Sequence, residues 1–155
     1  MTGTVFHRVE DLLAGAGAEY RVLRHAEVFT SAEAAAVRGT PLSSGAKALV
    51  MKADETLLMF VLPADRKLNS KQVRESLACR SLRFADKDEV DRITGLPPGA
   101  IPPFGSLFGL PTHCDERLGE HEWINFNAGD RAISVSLRYA DYLRLEQPRL
   151  GTFAQ

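Results

Sequence analysis

The chain has 155 residues, 45% of them apolar and 25% charged, with a formal net charge of −1. That balance suits a soluble globular protein, read as one domain over residues 1–155. No apolar run approaches the roughly eighteen residues of a membrane helix. The first residues lack a basic-then-apolar signal pattern, so the expected location is cytoplasmic, with no membrane partner. Cys79 and Cys114 form no CxxC pair and are expected as reduced thiols.

In chain order, residues 7–13 read as an amphipathic helix stopped by Gly15 and Gly17. Residues 20–25 follow as a short strand. Thr30-Ser31-Ala32-Glu33 joins a hydroxyl N-cap to an early acid and opens an Ala-rich helix ending at Gly39. Residues 46–51 and 56–62 are apolar runs split by Lys52-Ala53-Asp54-Glu55, the pattern of a β-hairpin. The second run is apolar throughout, as a central strand covered on both faces would be.

Asn69-Ser70 caps a helix to about Cys79, with Val73 and Leu77 inward. A strand at 81–84 and an acid-loaded helix at 88–94 come next. Strands are expected at 112–115, 123–126 and 132–137, the last two joined by a turn at Asn127-Ala128-Gly129-Asp130, and a helix at 140–146 closes the chain. About seven strands with non-alternating helices make a mixed α+β fold.

Between these elements lies Pro97-Pro98-Gly99-Ala100-Ile101-Pro102-Pro103-Phe104-Gly105, which holds four of the eight prolines and two of the twelve glycines. Proline fixes φ and removes a donor, while glycine admits φ > 0 and close approach of a ligand. Such a segment is a rigid connection or, with support from elsewhere, a preorganised wall whose free N–H groups face a substrate.

Charge is uneven along the chain. Residues 66–83 carry six basic side chains, among them Arg66, Lys67, Lys71 and Arg74, against the one acid Glu75; residues 84–130 carry nine acids against three bases. A modest basic face can hold a few phosphates, although charge runs are usually solvated helix faces.

Lys47 starts an otherwise apolar strand, where an ammonium either snorkels to water or is held at a pocket rim to meet a phosphate or carbonyl oxygen. No HExxH and no Gly-x-Ser-x-Gly is present. His113, Cys114 and His121 have none of the recognised zinc spacings, and neighbours on a strand point to opposite faces, so no metal and no cofactor is expected. Trp123 and Phe126 are read most simply as core.

An ordered set of short motifs then carries a resemblance. Arg24-His25 precedes Thr30-Ser31-Ala32-Glu33-Ala34-Ala35; Gly45-Ala46-Lys47-Ala48-Leu49-Val50 follows; then Gly99-Ala100-Ile101-Pro102-Pro103 with Phe104-Gly105, and Phe126-Asn127-Ala128-Gly129. From about Tyr20 to Leu143 this resembles the YbaK/ProX family of aminoacyl-tRNA deacylases, relatives of the editing domain of bacterial prolyl-tRNA synthetases. The resemblance implies a curved mixed sheet approaching a barrel, surrounded by helices. It implies hydrolysis of the ester between a wrong small amino acid (Ala, Cys, Ser or Thr) and the terminal adenosine of tRNA, tRNA for proline being favoured. Lys47 corresponds to the family's pocket lysine, and Gly99, Ala100, Ile101, Pro102 and Pro103 to its substrate-positioning loop. His25, Phe104, Gly105, Asn127 and Gly129 complete the expected substrate contacts. Many members carry a histidine soon after the Asn-Ala-Gly turn; Asp130 and Arg131 stand here, which leaves selectivity open.

On this reading Lys47 and Gly99 are the catalytic positions, with backbone N–H groups of residues 99–101 receiving an oxyanion. Arg66, Lys67, Lys71 and Arg74 are the expected contacts to the tRNA acceptor end, and a synthetase is a candidate partner. The competing reading is a non-catalytic aminoacyl-nucleotide or protein-binding regulatory module, for which Phe104, Leu107 and Phe108 would form an exposed patch beside the loop.

Overall fold

The computed structural model describes residues 4–155. Helix α1 (Val5–Gly15) is capped by the Thr4 hydroxyl and buries Phe6, Val9 and Leu13. Strand β1 (Tyr20–Arg24) leads to α2 (Ser31–Arg38), whose Thr30 and Glu33 form the reciprocal capping box that the sequence spelled. Gly39 ends α2 at φ 68°, a backbone conformation that costs glycine little.

The hairpin is β2 (Ala46–Ala53) and β3 (Thr56–Pro63), paired from Ala46↔Pro63 to Ala53↔Thr56. Met59 and Val61 of β3 enter one apolar cluster while Phe60 and Leu62 enter the other. Covering on both faces explains why that strand lacks alternation. Helix α3 (Ser70–Leu77) starts at the Asn69 cap, β4 (Leu82–Phe84) follows, and α4 (Lys87–Thr94) opens on an Asp86–Glu89 capping box.

After the proline loop come β5 (Thr112–Asp115), β6 (Trp123–Asn127), β7 (Ile133–Arg138), α5 (Tyr139–Glu146) and β8 (Arg149–Gly151). The class is mixed α+β, with eight strands among the described residues where about seven were expected. The added strand, β8, is three residues long and lies parallel to β5. Hydrogen bonding divides the strands into two sheets, in the orders β1-β7-β6 and β4-β2-β3-β5-β8. No closed barrel forms among the described residues; the sheets meet at a parallel bridge, Gly45↔Asn125.

The main core lies between α1, α5 and the inner faces of both sheets, and includes Phe104, Phe126 and Tyr142. Phe104 packs edge-on against Phe126 and Tyr142, with centroids 5.7 and 5.3 Å apart. Burying a phenylalanine fully is worth roughly 1.5–3 kcal/mol. Trp123 differs from expectation: it is half-buried, with the guanidiniums of Arg21 and Arg138 at 4.4 and 4.6 Å from its ring. It sits on the rim of the smaller sheet, where stacked cations replace apolar cover.

Candidate active site

A cavity of about 130 Å³ opens where the two sheets meet. Its walls come from α2 and the turn before it (Val28, Phe29, Thr30, Ser31, Ala34, Ala35, Arg38), the start of β2 (Gly45, Ala46, Lys47, Ala48), the end of β6 (Asn125, Phe126, Asn127) and the proline loop (Gly99, Ile101), with Leu42 and Ala64. Among the described residues, no aspartate or glutamate lines it. Close approach of chain segments dictates Gly45: a Cβ there would stand 3.0 Å from the Ala64 Cβ and 3.3 Å from the Leu42 carbonyl oxygen.

Lys47 lies across the cavity from no acid. Its half-buried ammonium donates to the Arg66 carbonyl at 2.6 Å. Burial pulls its pKa below the usual lysine value, Asp65 pulls the other way, and Lys67 adds to the lowering. The contact joins the cavity to the first residue of the basic stretch. Lys67, Lys71 and Arg74 are exposed and line no part of the cavity, and Arg66 is half-buried.

Arg38, at the end of α2, is the second cation of the cavity and had no signal in the sequence. An arginine before a C-terminal glycine reads as an ordinary partner of the helix dipole. In the fold it turns inward: Nε donates to the Ser134 hydroxyl at 2.8 Å and Nη2 to Asn127 Oδ1 at 2.9 Å. Burial lowers its pKa to about 10, which leaves it protonated at neutral pH. Both acceptors are neutral, and no carboxylate pairs with it among the described residues.

His25 lies behind this arrangement rather than on the cavity wall. Its Nδ1 donates to the Ala26 carbonyl at 2.8 Å, an oxygen that can only accept. In the neutral ring Nε2 therefore accepts from the Ser134 hydroxyl, also at 2.8 Å. Histidine, serine, arginine and Asn127 form one chain of hydrogen bonds, and Asn127 Nδ2 extends it to the Gly99 carbonyl at 2.7 Å.

The proline loop divides into two parts. Gly99, at φ 89°, and Ile101 line the cavity. Ala100 is buried; its N–H is spent on the Pro97 carbonyl at 3.2 Å, and its own carbonyl accepts from Gly129 N at 2.8 Å. Ala100 therefore offers no oxyanion donor, and Gly129 braces the loop from behind instead of touching the cavity. The N–H groups of Gly99 and Ile101 have no protein acceptor among the described residues.

Pro102, Pro103, Phe104 and Gly105 are buried and do not line the cavity, because this half of the loop is core. The Tyr142 hydroxyl donates to the Pro103 carbonyl at 2.7 Å, and a Cβ on Gly105 would stand 2.7 Å from the Leu110 carbonyl oxygen. With Phe104 inside the core, the patch it was expected to form with Leu107 and Phe108 does not exist as drawn.

Past the Asn-Ala-Gly turn, Asp130 accepts from Ala132 N at 2.7 Å and shapes the turn. Arg131 donates from Nη2 to the Pro98 carbonyl at 2.7 Å and lies 5.2 Å above the exposed Phe29 ring at the cavity mouth. His113 and Cys114 face opposite clusters: His113 stacks on Phe60 with centroids 5.0 Å apart, and Cys114 enters the main core. Burial lowers the His113 pKa and pushes the Cys114 thiol up to about 12. Alternation along β5 thus turns the His113 and Cys114 side chains away from each other.

Comparisons with known proteins give these features a family. The family model of the aminoacyl-tRNA editing domain matches residues 25–145. The chain belongs to that family. The Multifunctional Ser/Thr-tRNA deacylase ProXp-y of Escherichia coli K12 is 38% identical over 157 aligned positions, covering 97% of this chain and 94% of that protein. A proline–tRNA ligase of Shouchella clausii is 33% identical over 104 positions, 67% of this chain but 18% of the ligase. A crystal structure described as a candidate trans-editing enzyme for prolyl-tRNA synthetase superposes with a TM-score of 0.87 at 22% identity, covering 99% of this chain and 98% of that one.

Proposed function

We propose that the chain, acting as one unit over residues 1–155, is an aminoacyl-tRNA deacylase that removes serine or threonine from mischarged tRNA. The observation that carries this reading is the cavity lined, among the described residues, by two cations and no carboxylate, beside two N–H groups that have no acceptor there. Its volume of about 130 Å³ falls well short of the roughly 300 Å³ where pockets for drug-sized ligands begin. A small aminoacyl group enters it, and the terminal adenosine stays at the mouth. Alanine and cysteine also meet that size limit. The named relative supports the two hydroxylated residues, and the matched prolyl-tRNA ligase supports tRNA for proline as a carrier.

An aminoacyl ester is already activated, so holding water and carbonyl in attack geometry supplies much of the rate. The water oxygen bonds to the ester carbon, and the carbonyl oxygen becomes an oxyanion. The Gly99 and Ile101 N–H groups and the Lys47 ammonium receive it. The bond to the ribose oxygen then breaks, and that oxygen takes the proton lost by water, relayed through the neighbouring ribose hydroxyl. Free amino acid and uncharged tRNA leave. No side chain serves as nucleophile; for a cysteinyl ester the substrate's own thiol can attack.

Arg66, Lys67, Lys71 and Arg74 lead away from the Lys47 contact and are the proposed track for the acceptor stem. A synthetase partner and a cytoplasmic location belong to the same reading. A panel of tRNAs charged with Ser, Thr, Ala, Cys and Pro, incubated with wild type and Lys47→Ala, tests it. Release of Ser and Thr by wild type and its loss in the variant are expected. No release from any member of the panel overturns the assignment.

A further inference from the structure

Arg38 has five N–H donors, of which the protein uses two. Nε is spent on Ser134 and one Nη2 hydrogen on Asn127, which fixes the plane of the guanidinium. Nη1 has no acceptor among the described residues. It lies beside Gly45, 3.8 Å from where a Cβ on that residue would stand, and Gly45 is part of the cavity wall. The free edge, Nη1 with the second Nη2 hydrogen, is the fork that matches two oxygens of one anion.

The surroundings do not neutralise this charge. Ser134 and Asn127 are neutral, no acid among the described residues lines the cavity, and the carbonyl end of α2 contributes only a fraction of a charge. Ser134 is itself held by His25, and Asn127 by the Gly99 carbonyl, so the cation is clamped from both sides. Clamping a guanidinium by neutral acceptors costs desolvation that an incoming anion offsets. Lys47 differs: a flexible ammonium on one carbonyl can follow a carbonyl oxygen as it becomes charged.

We propose that Arg38 forms a phosphate subsite, in which its free fork holds the 5′-phosphate of the terminal adenosine while Lys47 serves the ester. This rests on the deacylase reading, and a pair of stable probes separates the two. The probes are 3′-deoxy-3′-(L-serylamino)adenosine, whose amide resists hydrolysis, and its 5′-monophosphate. Titration calorimetry compares their affinities for wild type, Arg38→Gln and Arg38→Lys.

In wild type the phosphate should tighten binding about ten- to hundredfold, the range of charge-assisted hydrogen bonds. In Arg38→Gln that gain should shrink to about threefold or less. Lysine keeps the charge as a single point but lacks the planar fork that meets two oxygens of one anion, so Arg38→Lys should lose most of the gain; it decides the matter if the glutamine variant does not fold. An undiminished phosphate gain in the folded variants overturns the subsite. So does an equal loss for both probes, which would make Arg38 a support for Asn127. Wild type that binds neither probe overturns the deacylase reading itself.

Discussion

Two of the places where this molecule holds cations partly out of water are built in opposite ways. On the outer edge of the larger sheet, Glu89 accepts two hydrogen bonds from Arg83 at 2.7 and 3.1 Å and lies 3.6 Å from Lys52. The Arg83 hydrogen bonds, followed by the backbone N–H of Asp86, hold the Glu89 carboxyl down at about 2. In the cavity, Arg38 and Lys47 donate hydrogen bonds, among the described residues, to hydroxyl, amide and carbonyl oxygens and to no carboxylate. Charges that answer one another tie α4 to β4; charges left unanswered face a space. The difference separates a structural ion cluster from a site that awaits a ligand.

The largest effect that can break this contrast is on turnover. Lys47→Ala should cut Ser-tRNA and Thr-tRNA deacylation about a hundredfold or more. Its thermal midpoint should not fall, because the ammonium removed was half-buried without a carboxylate partner. Normal turnover, or a collapse of stability, would place Lys47 among the structural cations.

Charge reversal at Lys71→Glu with Arg74→Glu comes next. These exposed cations should matter only to the long substrate, so tRNA affinity should fall about tenfold, with a salt slope shallower by about 1–2. The seryl-adenosine amide should bind as before. Identical tRNA isotherms in the two proteins would remove α3 from the interface.

Smaller effects come from the compensated cluster. Glu89 has a folded pKa depressed from 4.5 to about 2, so its stabilising contribution is present above 4.5 and lost as pH falls toward 2. Urea unfolding of wild type and Glu89→Gln should differ at pH 7 and converge across that window. A gap unchanged at low pH would contradict it. Smallest of all, Glu89→Gln should leave the deacylation rate per folded molecule within about twofold, since Glu89 does not line the cavity.

Much of this architecture was legible because local signals agreed with the fold. The Thr30–Glu33 box, the hairpin runs around Asp54-Glu55 and the Asn69 cap each name their element with residues close in sequence. β8 was not legible: its three residues hold too little alternation, and its place depends on β5 and on Asp115, whose Oδ2 accepts from Phe153 and Ala154 N at 2.7 Å. In the cavity, Lys47, Gly99, Ile101 and Asn127 were visible through their motifs. Arg38 was hidden because its partners lie on β6 and β7, about ninety residues away. The loop motif overreached for the opposite reason. Local stiffness in Pro102 and Pro103 does not say whether a loop faces a cavity or the core.

The rear half of that loop has a consequence for how this protein can change. Because Tyr142 and Phe126 enclose Phe104, and Gly105 has no room for a methyl group, mutations there are tested first by folding, whatever they do for substrates. The wall made by Phe29 to Ala35, in the turn before α2 and its first residues, has mostly exposed neighbours and carries no such double burden. New substrate preferences should therefore arise by drift along α2, with the proline segment inherited nearly unaltered.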